Sequence, residues 1–455
     1  MSNHKKSAIA TLRQRLADRR SRERLLLHPA TILASAVLGI ALVAVPITKA
    51  ASDRAESALR EVVAPFATAG AAAAPDASRA TSATGGTPKA EVSEKATAED
   101  PSSDASAVPA HKTRVVAFYA DWGDEGYKSL ERNIDKIDVL MPMWYHIGND
   151  GKLTLGSPAG KARVMRLIRA KNPDMKVMPI VNNYDKRTET WNPKQVAKLM
   201  RKSAHRKAIS KRIVRTMRAE GFDGVNVDLE GFRPQDRKTI VAFMKTLYPR
   251  ANKAGLEVSQ DVIVGSAAYD HRTLAKYNDY MIPMMYDEHW KTSGPGPIAS
   301  QRWYEKTLRG FFDKVPPKKV IIGLGTYAYN WGRRGERAKS MTFAEATALA
   351  RKKGKSIRLD ESGMNSHFTY KRHGVKRQVW MLDAASTYNQ VKAASKHKPA
   401  GYAFWRLGAE DPDVWRVLPK RDSLGKKAAQ SLERGRRSVS HDEDSGLITG
   451  QRIRP

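Results

Sequence analysis

The sequence predicts an α/β protein whose main part is a (β/α)8 TIM barrel. Three observations lead there: eight short apolar runs that read as strands, Lys/Arg-rich stretches of helical character between them, and polar or aromatic residues gathered where the runs end. Eight alternating units are the number that closes a parallel sheet on itself. The barrel does not fill the 455 residues, and the flanking segments have a different texture.

The N-terminal segment, residues 1–29, carries eight Lys or Arg against two acids. It precedes "ATILASAVLGIALVAVPI", residues 30–47, an uncharged run that as a helix would reach roughly 27 Å, close to the hydrocarbon thickness of a bilayer. The one-sided charge leads us to expect a transmembrane helix with a cytoplasmic N-terminus and everything after about residue 50 outside. The rival is a cleaved signal peptide, with Thr48 and Ala50 as small residues at the cleavage point, which would leave the protein secreted. The long basic stretch before the apolar run fits a retained anchor better. Residues 51–110 are rich in Ala, Ser, Thr, Pro and Glu, with Phe66 as the single aromatic. Such a segment buries too little apolar surface to offset chain entropy and is expected to be a disordered linker.

The barrel is expected over residues 112–417. Its strand-like runs are "TRVVAFYADW", "IDVLMPMWYHI", "MKVMPIVNNY", "FDGVNVDLEG", "LEVSQDVIV", "YMIPMMYDEHW", "KVIIGLGTYAYNW" and "AGYAFWRLG". Stretches such as "AGKARVMRLIRAKNP" and "RKAISKRIVRTMRAEGF" supply the helices between them. After it, residues 421–455 contain no aromatic and carry mixed charge, and are expected to be a disordered basic tail.

The formal charge of +33 and pI near 10.1 favour anionic partners, among them nucleic acid, anionic lipid and acidic envelope polymers. Lys and Arg are scattered through helices and tail without a recognised nucleic-acid motif, so no nucleic-acid role is expected, and anionic cell-envelope polymers explain the charge more simply. The absence of cysteine excludes disulfides, thiolate metal sites and a cysteine nucleophile. The eleven His show no His-x-x-x-His spacing, and neither a metal nor another cofactor is expected.

One stretch concentrates the chemistry. In "GFDGVNVDLEG", residues 221–231, Asn226, Asp228 and Glu230 alternate with Val225, Val227 and Leu229. In a strand the three polar groups share one face. Two carboxylates separated by one residue repel each other, which a solvent-facing edge strand avoids, so a functional site is the better reading. Asp223 has the opposite parity to Glu230 and is expected to be structural. Tyr119, Trp122, Trp144, Asn183, Tyr286, Asp287, Tyr327, Trp331 and Trp405 also fall at or just beyond run ends, where active sites of this barrel class are built. Recurrent aromatics there suit sugar rings, whose apolar faces stack on them.

"DGVNVDLE" resembles the D-G-x-D-x-D-x-E signature of glycoside hydrolase family 18, the chitinase-like family, with Asn226 where the second acid usually stands. "MMYDEHW" is similar to the family's Met-x-Tyr-Asp segment, "GYAFWRLGAEDPDVW" to its last-strand Trp segment, and "RQVWMLDAASTYNQVKAA" to the stretch between its last two strands. Within the family the likeness is to bacterial cell-envelope members of the spore-germination type. The resemblance implies hydrolysis of β-linked N-acetylglucosamine-containing glycans, with peptidoglycan or a secreted N-acetylglucosamine polymer ahead of chitin. It implies substrate-assisted retention, in which the substrate's own 2-acetamido oxygen attacks. Glu230 would be the general acid, its proton retained by partial burial and by Asp228. Asp228 would hold the acetamido N–H, and Tyr286 would donate to the acetamido oxygen. Asp287 would orient the sugar, and Trp405 would form the floor. Asn226, Tyr119, Trp144, Asn183 and Trp331 complete the expected substrate-binding set. The alternative is a non-catalytic chitinase-like binding protein of the envelope, which loss of Glu230 or Tyr286 would have favoured; both are present.

Overall fold

The computed structural model describes residues 113–185, 188, 190–418, 437–442 and 444–453. The expected N-terminal segment, transmembrane helix and linker lie outside these residues, as do 421–436, 443, 454 and 455 of the expected tail. Among the described residues no helix is long and apolar enough to cross a membrane.

Each apolar run forms one stave of a closed parallel barrel. The staves are β1 (Arg114–Tyr119), β2 (Val139–Pro142, continuing as Tyr145–Ile147), β3 (Lys176–Val177, continuing as Ile180–Asn182), β4 (Gly224–Asp228), β5 (Glu257–Ile263), β6 (Tyr280–Met284), β7 (Ile321–Gly325) and β8 (Gly401–Trp405). Closure follows from the pairing: Gly401 of β8 sits beside both Ile321 of β7 and Arg114 of β1. The two halves of β2 pair with the two halves of β3, Val139 with Lys176 and Tyr145 with Val181. Pro179 interrupts β3 because it has no N–H for the ladder, yet its carbonyl still accepts from Asn226 N–H at 3.0 Å.

Both faces of the sheet are buried, as a parallel sheet requires. In β1, Val116 and Phe118 enter the barrel interior with Met141, Ile180, Ile282 and Ala403, while Val115, Ala117 and Tyr119 pack outward beneath the helices. The helix Ser203–Ala219 buries Ile209, Ile213 and Met217 at fourfold spacing and leaves most of its Lys and Arg to solvent. Its neighbour Arg237–Lys253 buries Ile240, Phe243, Met244 and Leu247. Each such side chain contributes about 1.5–3 kcal/mol by leaving water. Between β4 and β5 the backbones approach so closely that a Cβ at Gly224 would lie 2.3 Å from the Glu257 carbonyl oxygen. That contact fixes a register in which Asn226 faces Ser259 and Asp228 faces Asp261.

The run "KVIIGLGTYAYNW" is not one strand. It splits into β7 and a separate strand, Ala328–Trp331, which opens an antiparallel layer inserted between β7 and β8. Lys339–Met341, Ile357–Leu359, Ser366–Arg372 and Val375–Met381 continue this layer, and the helix Phe343–Lys352 begins on a Thr342–Glu345 capping box.

The tail expected to be disordered is ordered over much of its described part. Arg437–His441 and Ile448–Ile453 form an antiparallel hairpin that pairs with Ile357–Leu359 and extends the inserted sheet to seven strands. Polar contacts hold it rather than a long apolar run. Buried Arg437 meets Asp411 at 2.7 Å, Gln451 donates to Ser366 and Asp383, and Asn389 exchanges two 2.7 Å bonds with the backbone of Ile448. Ile448 itself is fully buried.

Candidate active site

The alternation in β4 turns Asn226 and Asp228 into the barrel interior and Val225, Val227 and Leu229 outward into the core beneath the helices. Glu230 follows just past the C-terminal end, half-buried, and Gly231 takes φ 74° to turn the chain away. The backbone around Glu230 is clamped. Asn183, fully buried at the end of β3, accepts from Glu230 N–H at 2.8 Å and donates to the Glu230 carbonyl at 2.9 Å. Tyr269 donates its hydroxyl to the Leu229 carbonyl at 2.6 Å.

Three further carboxyls surround Glu230. Asp228 is buried, and burial pushes its carboxyl up to about 7. Asp261 on β5 is also buried and is held well above the usual carboxylate range by burial and then by Asp228. Asp287 follows β6 at φ 64°, a conformation that favours glycine. It accepts hydrogen bonds from the hydroxyls of Tyr327 and Tyr329, the latter at 3.1 Å. Burial raises Asp287, and the two hydroxyls offset part of that. Glu230 is raised well above its ordinary range by burial first, then by Asp228, Asp261 and Asp287, and a hydrogen bond joins it to Asp228. Carboxyls this close do not all ionise, so the cluster holds on to protons above the ordinary carboxylate range. Tyr286 is likewise held neutral, by burial and by Asp261 and Glu230, and keeps its hydroxyl as a donor.

Trp405, half-buried at the end of β8, lies edge-on to Phe118 at 5.6 Å and to the exposed Trp122 at 6.1 Å. Arg406 lies over the Trp122 ring at 4.6 Å. These rings give the C-terminal end of β8 an aromatic wall.

Four residues expected to bind substrate do not line the interior. Tyr119 shares parity with Val115 and Ala117 and is buried in the outer core. Trp144 is buried in that same core against Phe222 at 5.8 Å. Trp331 belongs to the inserted layer, is 2% exposed, and donates its indole N–H to the Ser293 carbonyl at 3.1 Å. Asn183 serves the backbone of Glu230 instead of a ligand. Asn226 bonds to Asp261 at 2.6 Å, not to Asp228, and accepts from Ser259 at 2.7 Å. Asp223 sits at the opposite end of β4, where its carboxylate accepts from Val177 N–H at 2.7 Å. Glu230, Asp228, Tyr286 and Asp287 form one electrostatic cluster. Asp261 was not foreseen, although "SQD" within "LEVSQDVIV" repeats the period-2 polar pattern of β4. Among the described residues no group of three or more His, Asp or Glu is arranged to hold a metal ion.

A cluster of buried carboxyls at the C-terminal rim of a (β/α)8 barrel is the kind of site that barrel glycoside hydrolases carry. The chain belongs to the glycosyl hydrolases family 18, which matches residues 114–410. It is similar to the uncharacterized glycosylase YvbX of Bacillus subtilis, 24% identical over 67% of this chain and 91% of that protein. It is also similar to the cortical fragment-lytic enzyme of Bacillus cereus, 25% identical over 47% of this chain, and it spans about half, 53%, of that relative's length. The chitinase structure from Chromobacterium violaceum shares the fold, with a TM-score of 0.62 and 24% identity over 67% of this chain and 96% of that one.

Proposed function

We propose that the protein hydrolyses β-linked N-acetylglucosamine-containing glycans outside the cytoplasm by substrate-assisted retaining catalysis, with peptidoglycan as the leading substrate. The observation that carries this reading is Glu230, a carboxyl that keeps its proton beside Asp228, with neutral Tyr286 within electrostatic reach. In the first step Glu230 gives its proton to the glycosidic oxygen as the C1–O bond breaks. The acetamido carbonyl oxygen of the same sugar attacks C1, giving a cyclic oxazolinium ion. Asp228 accepts from the acetamido N–H and stabilises the positive charge, and Tyr286 donates to the acetamido oxygen. In the second step Glu230, now a carboxylate, takes a proton from water while the hydroxyl oxygen adds to C1 and the ring of the intermediate opens. Trp405 forms the floor beneath the reacting sugar.

The likeness to a cortical fragment-lytic enzyme and to a chitinase supports an N-acetylglucosamine glycan. The charge of +33 supports attraction to anionic envelope polymers. Residues 30–47 support a membrane anchor that leaves the barrel on the outer side. The test is digestion of purified peptidoglycan, poly-N-acetylglucosamine and chitin oligomers, with products read by mass spectrometry. Release of fragments with reducing N-acetylglucosamine ends is expected. Binding of these glycans without cleavage of any would overturn the reading in favour of a binding protein.

A further inference from the structure

Asp261 belongs to none of the groups the mechanism above uses, yet it is built into the same interior. It is 4% exposed. Its register partner on the neighbouring stave is Asp228, so the two carboxyls stand side by side on one face of the sheet. One layer below, Ser259 donates to the Asn226 side-chain oxygen at 2.7 Å, which turns the Asn226 N–H2 toward Asp261 Oδ2 at 2.6 Å. This short polar chain fixes the carboxyl of Asp261 as an acceptor at one oxygen. Among the described residues its other oxygen, Oδ1, has no hydrogen-bond partner, and neither has Oδ1 of Asp228. Leaving a buried carboxyl oxygen unpaired costs free energy that an apolar or amide side chain would avoid. The charge has a use where it stands. Glu230 just past β4, Tyr286 from the loop after β6 and Tyr269 from the loop after β5 all feel it, and Asp228 in turn acts on Asp261.

We infer that Asp261 is a positioning residue for the proposed reaction: held by Asn226 across the β4–β5 seam, it supplies the third carboxyl that keeps the acid proton on Glu230. The inference rests on the proposed hydrolysis and adds to it. Residue 226 is then an amide because its neighbour on β5 carries the acid, and the pair amounts to one amide and one carboxyl distributed over two staves. Once Asp261 has ionised its charge opposes loss of the Glu230 proton, so an amide at 261 makes Glu230 easier to ionise. Glu230 must be protonated to act, so the basic limb of kcat/KM moves to lower pH.

The test compares pH profiles on a chitin oligomer for the parent, Asp261→Asn, and the exchange Asn226→Asp/Asp261→Asn, with Glu230→Gln as control. For D261N the basic limb is expected about one pH unit lower, the size of effect a close like charge exerts. Its peak rate should stay within about threefold of the parent. The exchange restores a carboxyl to the pair and should return the limb to the parent's position. If D261N does not fold, the exchange alone carries the test: a limb at the parent's position supports the inference, and a limb about one unit lower overturns it. A D261N profile whose basic limb superimposes on the parent's, whether the rate is unchanged or lowered uniformly, makes Asp261 structural and overturns the inference. In that case loss of turnover in E230Q leaves the proposed hydrolysis standing, whereas full turnover in E230Q removes it independently.

Discussion

Replacing Asp228 by Asn should stabilise the protein in a pH-dependent way that reports the cluster directly. The Asp228 carboxyl has an ordinary value of 3.8 and sits at about 7 in the folded barrel, with burial as the largest cause. Between those values the folded state holds a proton that the unfolded chain has released. Linkage then sets the sign: stability from this group is fully present below pH 3.8 and is lost as pH rises to about 7. At 1.36 kcal/mol per pH unit the loss amounts to about 4 kcal/mol, an upper figure because Glu230 and Asp261 share protons with Asp228. Asn keeps the shape and never ionises, so D228N should match the parent near pH 4 and exceed it by about 2–4 kcal/mol at pH 8. For a domain of this size that corresponds to roughly 4–8 °C in Tm. Urea unfolding of both proteins from pH 4 to pH 8 measures the difference. A stability difference that stays flat across this range would refute the reasoning, because it would mean that Asp228 ionises as easily in the barrel as in the unfolded chain.

Other expectations follow from separate parts of the structure. Trp405→Ala should weaken binding of chitin oligomers by about tenfold in calorimetry, since a sugar face loses its stacking partner; unchanged affinity would remove Trp405 from the site. Arg437→Met leaves Asp411 buried without its countercharge and should cost about 3–5 kcal/mol. Hydrogen exchange of residues 437–453 should then rise above that of the barrel staves, and a hairpin as protected as the parent's would contradict the anchoring described. For membrane topology, protease added to cells with any outer membrane permeabilised should cut between about residues 60 and 110 and spare an N-terminal tag. Loss of the tag while the barrel stays protected would reverse the orientation.

The staves were legible because both faces of a parallel barrel are buried, which leaves short apolar runs that turn residues bound. The row Asn226, Asp228, Glu230 was legible because two carboxylates one residue apart repel each other, which an exposed edge strand avoids. Position at a run's end, however, says nothing about face. Tyr119 was misplaced for that reason, although it shares parity with Val115 and Ala117 and lies with them in the outer core. Trp144 is the second residue of the two-residue break in β2 and lies in the same outer core. Trp331 was misplaced because nothing in "GLGTYAYNW" marks where β7 ends and the inserted layer begins. Asp261 was passed over because the other acid of its parity in the run, Glu257, stands four residues away at the far end of β5, so no pair of neighbouring carboxyls marked the strand. The hairpin at 437–453 escaped notice because a buried ion pair and side-chain amides anchor it, and hydrophobic periodicity does not register those.

The measurement that tests the account most directly is the turnover of Glu230→Gln on a chitin oligomer or peptidoglycan fragment, with binding measured in parallel. Gln preserves the shape and removes the transferable proton. The account predicts that kcat falls by about 10²–10⁴-fold while affinity for the glycan stays within a few-fold of the parent's. Turnover equal to the parent's would contradict it.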